Sequence, residues 1–328
     1  MRVTRLWLTD FRNYEAAELA PAADGLTVLI GPNGEGKTNL LEAIGYLTTL
    51  ESFRGSPAEA LVRAGCERAI VRAEADRGGR SLLIEAEIPA RGAARVQVNR
   101  QRLRRARDLL GALRATVFSP DDLELVKGGP AGRRRYLDEA VVAADPRQDQ
   151  LRTDLDRVLR QPNTLLRQSG GRLTPEIELT LDVWDSKLAA VGEGLAAARE
   201  QLVDLVGPAL GKAYDQVAGT AADIGVSYRR SWPGSLAEAL AQSRGDDLRR
   251  GVSTVGPHRD DLELTIAGMP SRTHASQGEQ RSLALALRLA AHAVVAETTG
   301  SPPVLLLDDV FSELDPERSE ALVAHLPA

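Results

Sequence analysis

Gly31-Pro32-Asn33-Gly34-Glu35-Gly36-Lys37-Thr38 constrains this chain more than any other stretch. It satisfies G-x-x-x-x-G-K-[ST] at each fixed position. Leu26-Thr27-Val28-Leu29-Ile30 before it reads as a buried strand, and Asn39 to Leu50 after it has the apolar spacing of a helix. Strand, glycine-rich turn and helix start make an anion site, because open backbone N–H groups converge there and the helix dipole adds positive potential. The expected ligand is a nucleoside triphosphate, with Lys37 on the β- and γ-phosphates and the Thr38 hydroxyl on Mg²⁺.

A second stretch answers the first from far along the chain. Val304-Leu305-Leu306-Leu307-Asp308-Asp309 is an apolar strand ending in two acids. Such a strand is expected beside the phosphate-loop strand, with Asp308 supporting the metal and Asp309 orienting or deprotonating the attacking water.

Composition removes several alternatives. The 328 residues suffice for a large core and two lobes. One cysteine, Cys66, excludes a disulfide framework and a thiolate zinc site, and His258, His274, His292 and His325 lack metal-ligand spacing. Arg2, Arg5 and Asp10 interrupt the start, so neither a signal peptide nor a membrane span is expected there, and a cytoplasmic protein is. A net charge of -5 rules out a blanket of positive charge but not a local basic patch. Four lysines among 41 basic residues leave that role to arginine.

Along the chain, Val3 to Leu8 alternates as a strand before the turn Asp10 to Tyr14, where Arg12 and Asn13 are candidate contacts to the nucleotide. Cys66 to Ala75, Ser81 to Ile88 and Val96 to Val98 read as an antiparallel meander. Arginines then crowd two short runs, one holding Arg102, Arg104 and Arg105, the other Arg133-Arg134-Arg135. Both are candidate duplex-DNA contacts, although several of these arginines would serve equally well as bridges to acidic loops. Leu181, Trp184, Leu188, Val191, Leu195, Ala198, Leu202 and Leu205 recur at three- and four-residue steps. That heptad seam predicts a helix over 175–206, packed on the preceding helix as a short antiparallel arm. Gly192 and Gly194 cost such a helix about 1 kcal/mol each relative to alanine.

Ser276-Gln277-Gly278-Glu279-Gln280-Arg281 precedes an apolar helix expected to run from Ser282 to Val295. It offers a second set of open N–H groups. One triphosphate cannot easily use both anion sites of one subunit. The expected arrangement is therefore a head-to-tail homodimer with nucleotide between Lys37 of one copy and Ser276, Gln277, Gly278 and Glu279 of the other.

Taken together, Phe11 to Tyr14, Gly31 to Asn39, Phe118 to Leu123, Lys127-Gly128, Arg133 to Arg135, Gly256-Pro257-His258-Arg259-Asp260-Asp261, Ser276 to Gln280 and Leu307 to Asp315 resemble the RecF family. These are bacterial DNA-repair ATPases related to the heads of SMC and Rad50 proteins. The resemblance implies an α/β fold, an ABC-type ATPase head with an antiparallel β meander, over 1–112 and 250–328. It also implies a mainly helical second lobe over 113–249 with a coiled-coil arm near 150–215. By the same resemblance the phosphate loop through Asn39 would hold ATP, and Asp315 would link the two nucleotide sites. The implied activity is slow, Mg²⁺-dependent, DNA-stimulated ATP hydrolysis. The implied partners are duplex DNA, single-strand/double-strand junctions and RecO- and RecR-type proteins, in support of RecA loading, replication restart and the SOS response. A structural DNA clamp without productive turnover and a transport ATPase subunit are the alternatives. Ser119 to Asp122 lacks the glutamine by which many such ATPases contact metal and water, and the resemblance implies a terminal strand beyond Ala328.

Overall fold

The computed structural model describes residues 1–312 and 316–325. Two compact units divide the chain. The first comprises residues 1–123, 212–221 and 277–328, and the second 124–211 and 222–276. Residues 113–123 and 250–276 thus fall in the opposite unit from the expected one.

The first unit opens with strands β1 (Arg2–Phe11) and β2 (Tyr14–Leu19), followed by helices α1 (Lys37–Thr49) and α2 (Ala58–Leu61). Strands β3 (Arg68–Arg77), β4 (Arg80–Pro89), β5 (Arg95–Val98), β6 (Gln101–Arg102) and β7 (Ala115–Phe118) follow. The first six strands form one antiparallel sheet in the order β2-β1-β3-β4-β5-β6, which is the expected meander. Alternation sets its buried face. Val3, Leu6, Leu8, Val71, Ala73, Ile84, Ala86 and Val96 point inward with Ile44 and Leu47 of α1. Arg72 and Glu85 sit opposite each other on β3 and β4 and pair on the half-solvated face.

The second unit holds α3 (Glu124–Lys127), α4 (Pro130–Ala144), α5 (Asp149–Gln168) and the first 37 residues of α6 (Pro175–Ala218). It continues with β8 (Ile224–Arg229), α7 (Leu236–Arg250), β9 (Asp261–Ile266), β10 (Met269–Pro270) and α8 (Ser271–His274). β9 pairs with β8 rather than with any strand of the nucleotide lobe, so the 250–276 segment belongs to the second unit and not the first. Leu155, Val158 and Leu159 of α5 share one core cluster with Leu188, Leu195 and Ala196 of α6. α7 adds Leu236, Ala239 and Leu240 to the same core.

α6 is longer than its heptads suggest, 44 residues or about 66 Å at ~1.5 Å per residue. It passes through Gly207-Pro208, where the sequence reading stops. Leu210, Tyr214 and Val217 beyond the proline are at most 2% exposed, and their burial offsets the lost helix hydrogen bond. Leu205 leaves the seam at 50% exposure while Val203 and Val206 enter it, the drift expected of a 3.6-residue helix read with a 3.5-residue repeat. Gly192 has a purpose the sequence conceals. A Cβ there would stand 2.4 Å from Leu236 Cδ2, so its bare Cα lets α7 approach α6.

The first unit closes with α9 (Gln277–Thr299), β11 (Val304–Leu307) and α10 (Pro316–His325). β11 pairs in parallel with β7, Val304 opposite Ala115 through Leu307 opposite Phe118, which places β7 in this unit instead of the helical lobe.

Residues 26–30 depart from expectation. They form no strand, and Leu26, Val28 and Ile30 are 50%, 61% and 92% exposed. β11 therefore pairs with β7 and not with the phosphate-loop segment. Four apolar residues in a run of five state suitability for burial, but not which sheet edge supplies the partner.

Two histidines report on burial. Desolvation pushes His258 in the second unit and His292 on α9 down to about 4, from 6.5. Below about pH 6.5 the unfolded chain takes up protons that the folded chain refuses until near pH 4, so stability falls as pH drops through that window. Each histidine should cost on the order of 3 kcal/mol at the acid end. The melting temperature measured from about pH 7 down to pH 5 should decline, and His292→Gln should flatten the decline; an unchanged slope would show that His292 titrates normally.

Candidate functional site

α1 begins at Lys37, directly after a left-handed Gly36 at φ 107. No side chain caps this helix start; the Asn39 N–H turns back to the Gly36 carbonyl at 2.8 Å, which leaves the N–H groups of Lys37 and Thr38 for an anion. Residues 31–35 are exposed. Lys37 Nζ donates to the Gly31 and Pro32 carbonyls at 2.7 and 2.8 Å, folding the ammonium over the loop it is expected to serve.

Thr38 and Asp308 meet. The Thr38 hydroxyl donates to Asp308 Oδ1 at 2.7 Å, joining residues 270 positions apart. Asp308 is hung from the neighbouring strand, its N–H donating to the Phe118 carbonyl at 2.8 Å. Burial raises the Asp308 carboxyl above its ordinary value, the Thr38 hydroxyl opposes that rise, and the charge of Asp309 adds to it. Asp309 is exposed and takes φ 51, a left-handed conformation that a non-glycine residue adopts at some cost. A hydroxyl and a carboxylate side by side at a helix N-terminus suit a hard divalent cation that keeps waters and phosphate oxygens as its other ligands. The residues present fit Mg²⁺.

The turn between β1 and β2 closes over the loop. Asn13 Nδ2 and the Tyr14 hydroxyl donate to the Glu35 carbonyl at 3.0 and 3.4 Å, and Asn39 Nδ2 donates to Asn13 Oδ1 at 2.8 Å. Arg12 faces elsewhere. Its Nε and Nη2 grip both oxygens of Glu42 at 2.7 Å, Nη2 also reaches Ser56, and Nη1 reaches the Ala60 carbonyl. Glu42 is fully buried, and Ser52 donates to it as well. Arg12 thus anchors α1, whereas Asn13 holds the loop. Tyr14, Glu42 and Arg54 were not among the sequence candidates, although an acid on the apolar face of a helix signals a buried partner. Arg54 reaches Asn39 Oδ1 at 3.4 Å, and its charge acts against the rise at Asp308.

The signature segment begins its helix earlier than expected. α9 starts at Gln277 rather than Ser282, so Gly278, Glu279 and Gln280 lie in its first turn. Ser276 and Gln277 are exposed and Gln280 is buried. Asp315 lies outside the described residues.

The arginine runs divide. Arg102, Arg104 and Arg105 are exposed, and Arg95, Arg102 and Arg104 line one shallow depression of about 310 Å³. Arg133 is 6% exposed and doubly bonded to Asp261, while Arg134 donates to the Asp260 carbonyl. Arg133 is therefore a buried strut and is withdrawn as a surface cation, because four of its five N–H donors are already engaged by Asp261 and the Leu125 and Gly128 carbonyls. Arg135 stays exposed beside Glu139.

The RecF/RecN/SMC N terminal domain family model matches residues 2–328. The DNA replication and repair protein RecF of Streptomyces avermitilis is 46% identical over 98% of this chain and 90% of its own length. The chain belongs to the RecF family. RecF of Frankia alni is also 46% identical, over 98% of this chain and 89% of its own. A solved recombination mediator protein RecF with ATP, in the RecFOR pathway, superposes with a TM-score of 0.90 at 30% identity, covering 100% of this chain and 90% of that one. A Pyrococcus furiosus Smc head domain matches at a TM-score of 0.53 and 16% identity, a likeness of fold alone. The fold is thus that of an α/β ABC-type ATPase head, and the RecF family is one of ATP-binding DNA repair proteins. Among the described residues no helix is long and apolar enough to cross a membrane.

Proposed function

We propose that the chain is an ATP-dependent, DNA-binding recombination mediator that closes as a homodimer on duplex DNA or single-strand/double-strand junctions and opens on slow hydrolysis. The observation that carries this reading is the 2.7 Å bond from Thr38 to Asp308, which unites the phosphate loop with the acid-tipped strand. ATP enters at the open N–H groups of α1, and Lys37 leaves the Gly31 and Pro32 carbonyls for the phosphates. Thr38 and Asp308 would hold Mg²⁺, which would supply neutralisation of phosphate charge. Asp309, exposed at the strand tip, orients the attacking water. The first turn of α9 from a second copy faces the γ-phosphate, so nucleotide joins the two chains. Arg102, Arg104, Arg105 and Arg135 contact DNA phosphates, RecO- and RecR-type proteins bind the closed form, and the product is RecA loading at gaps.

Short duplexes mixed with the protein, with and without ATP at several salt concentrations, test this. Retention should rise with ATP and fall steeply with salt, about one logarithmic slope unit per phosphate neutralised. Lys37→Met should remove the ATP-dependent part. Equal retention with and without ATP would sink the reading, as would a mass of one subunit for Asp309→Asn saturated with ATP and duplex.

A further inference from the structure

α9 carries two polar anchors one helical turn apart, and both fasten it to the segment that supports Asp308. Arg288 donates through Nε and Nη2 to Asp122 Oδ1 at 3.0 and 2.6 Å. His292, four residues on, meets the Thr116 hydroxyl of β7 at 3.1 Å. Positions four apart share a helix face, so α9 is fastened at two heights, to β7 through Thr116 and to the turn after it through Asp122. The other oxygen of Asp122 accepts the Ser119 N–H at 2.9 Å, closing the Pro120–Leu123 turn. Phe118, just before that turn, supplies the carbonyl from which Asp308 hangs. Arg288 is therefore connected to the acid at Thr38 through one carboxylate, one turn and one strand end.

The Arg288 and Asp122 side chains are only 19% and 7% exposed, so water screens the pair little and removal of either partner is felt. Its position in the chain adds to this. The chain leaves the first unit immediately after the Pro120–Leu123 turn, at Leu123, and, after a short return over 212–221, re-enters it for the last time at Gln277, the first residue of α9. One ion pair thus secures both the departing turn and the returning helix. Between the same turn and the same helix lies a mostly apolar crevice lined by Phe118, Pro120, Leu123, Ala284, Leu285 and Val310 together with Arg281, Val310 coming directly after Asp309. Dispersion contacts across such a crevice change smoothly with small slides of the helix, whereas a charged fork on a carboxylate does not.

We propose that Arg288 is a positioning residue for ATP turnover, acting through Asp122 to hold the Ser119–Asp122 turn, and with it Asp308, in register with the signature helix. The inference rests on the proposed ATP turnover. It assigns to Asp122 the task of tying that turn to α9, in a loop where no glutamine is present. Nucleotide binding, which uses the 31–38 loop, is separate from it.

The test compares wild type, Arg288→Lys, Arg288→Leu and the paired Arg288→Leu/Asp122→Leu variant. The paired variant leaves no lone charge behind, and such apolar replacements commonly keep the fold. Equilibrium binding of a fluorescent ATP analogue should stay within about twofold of wild type in all three, while kcat falls about tenfold in both leucine variants and Arg288→Lys recovers much of it. A purely structural pair would instead lower binding and thermal midpoint together, and that pattern would overturn the proposal. So would wild-type kcat in the folded paired variant. Failure of the nucleotide reading itself would show differently, as absent ATP binding in wild type and variants alike.

Discussion

Gly36→Ala should abolish useful ATP binding while the protein stays folded. Two independent features of position 36 oppose a side chain. Its φ of 107 lies where an L-residue is strained, at a cost of about 1–3 kcal/mol. An added Cβ would also stand 2.7 and 2.8 Å from the Asn13 amide atoms and 2.8 Å from the Tyr14 hydroxyl. Those side chains can retreat only by releasing the Glu35 carbonyl, which frees the loop that presents the phosphate-binding N–H groups. Affinity for an ATP analogue should fall about 100-fold by equilibrium titration, the equivalent of ~2.7 kcal/mol. Adding Asn13→Ala and Tyr14→Phe relieves the collision but not the backbone, so less than about tenfold should return. Wild-type affinity in Gly36→Ala would mean that the turn does not cradle the ligand.

The largest stability effect is expected at Arg199. It is 2% exposed on α6 and donates to both oxygens of Asp138, to the Pro257 carbonyl and to the Tyr228 hydroxyl. Tyr228 in turn donates to Asp260, which also accepts from the Ser231 N–H. Arg199→Met would strand Asp138 and the Pro257 carbonyl without their cation, and should cost about 3–5 kcal/mol in urea unfolding. Trp184 and Trp232 belong to the same unit and make fluorescence a direct monitor. Arg199→Met/Asp138→Leu should regain part of the loss, since no lone charge remains. A cost below about 1 kcal/mol in the single variant would show that the hub is solvated rather than buried.

This hub explains a motif that sequence reading located without interpreting. Gly256-Pro257-His258-Arg259-Asp260-Asp261 was legible as a tight turn. Its acids are the partners of Arg133, Arg134 and, through Tyr228, of Arg199. Charge runs specify that arginines are present but not which face they occupy. Arg133 turned inward because Asp261 lay within reach on β9, and Arg102 stayed outside because it sits on the short edge strand β6.

The sequence alone determined the local features. Alternation defined the meander, seam spacing defined the face of α6 that shares a core cluster with α5, and the spacing of glycines, Lys37 and Thr38 defined a phosphate site, since periods of two and 3.6 residues and obligatory glycine conformations are written into neighbouring residues. Tertiary structure decided what joins positions far apart: the Thr38–Asp308 bond, the pairing of β11 with β7, the Glu42 grip on Arg12 and the Arg288–Asp122 pair. These contacts depend on which elements meet after the chain has closed loops of tens to hundreds of residues, and a single sequence carries no local pattern for such distances.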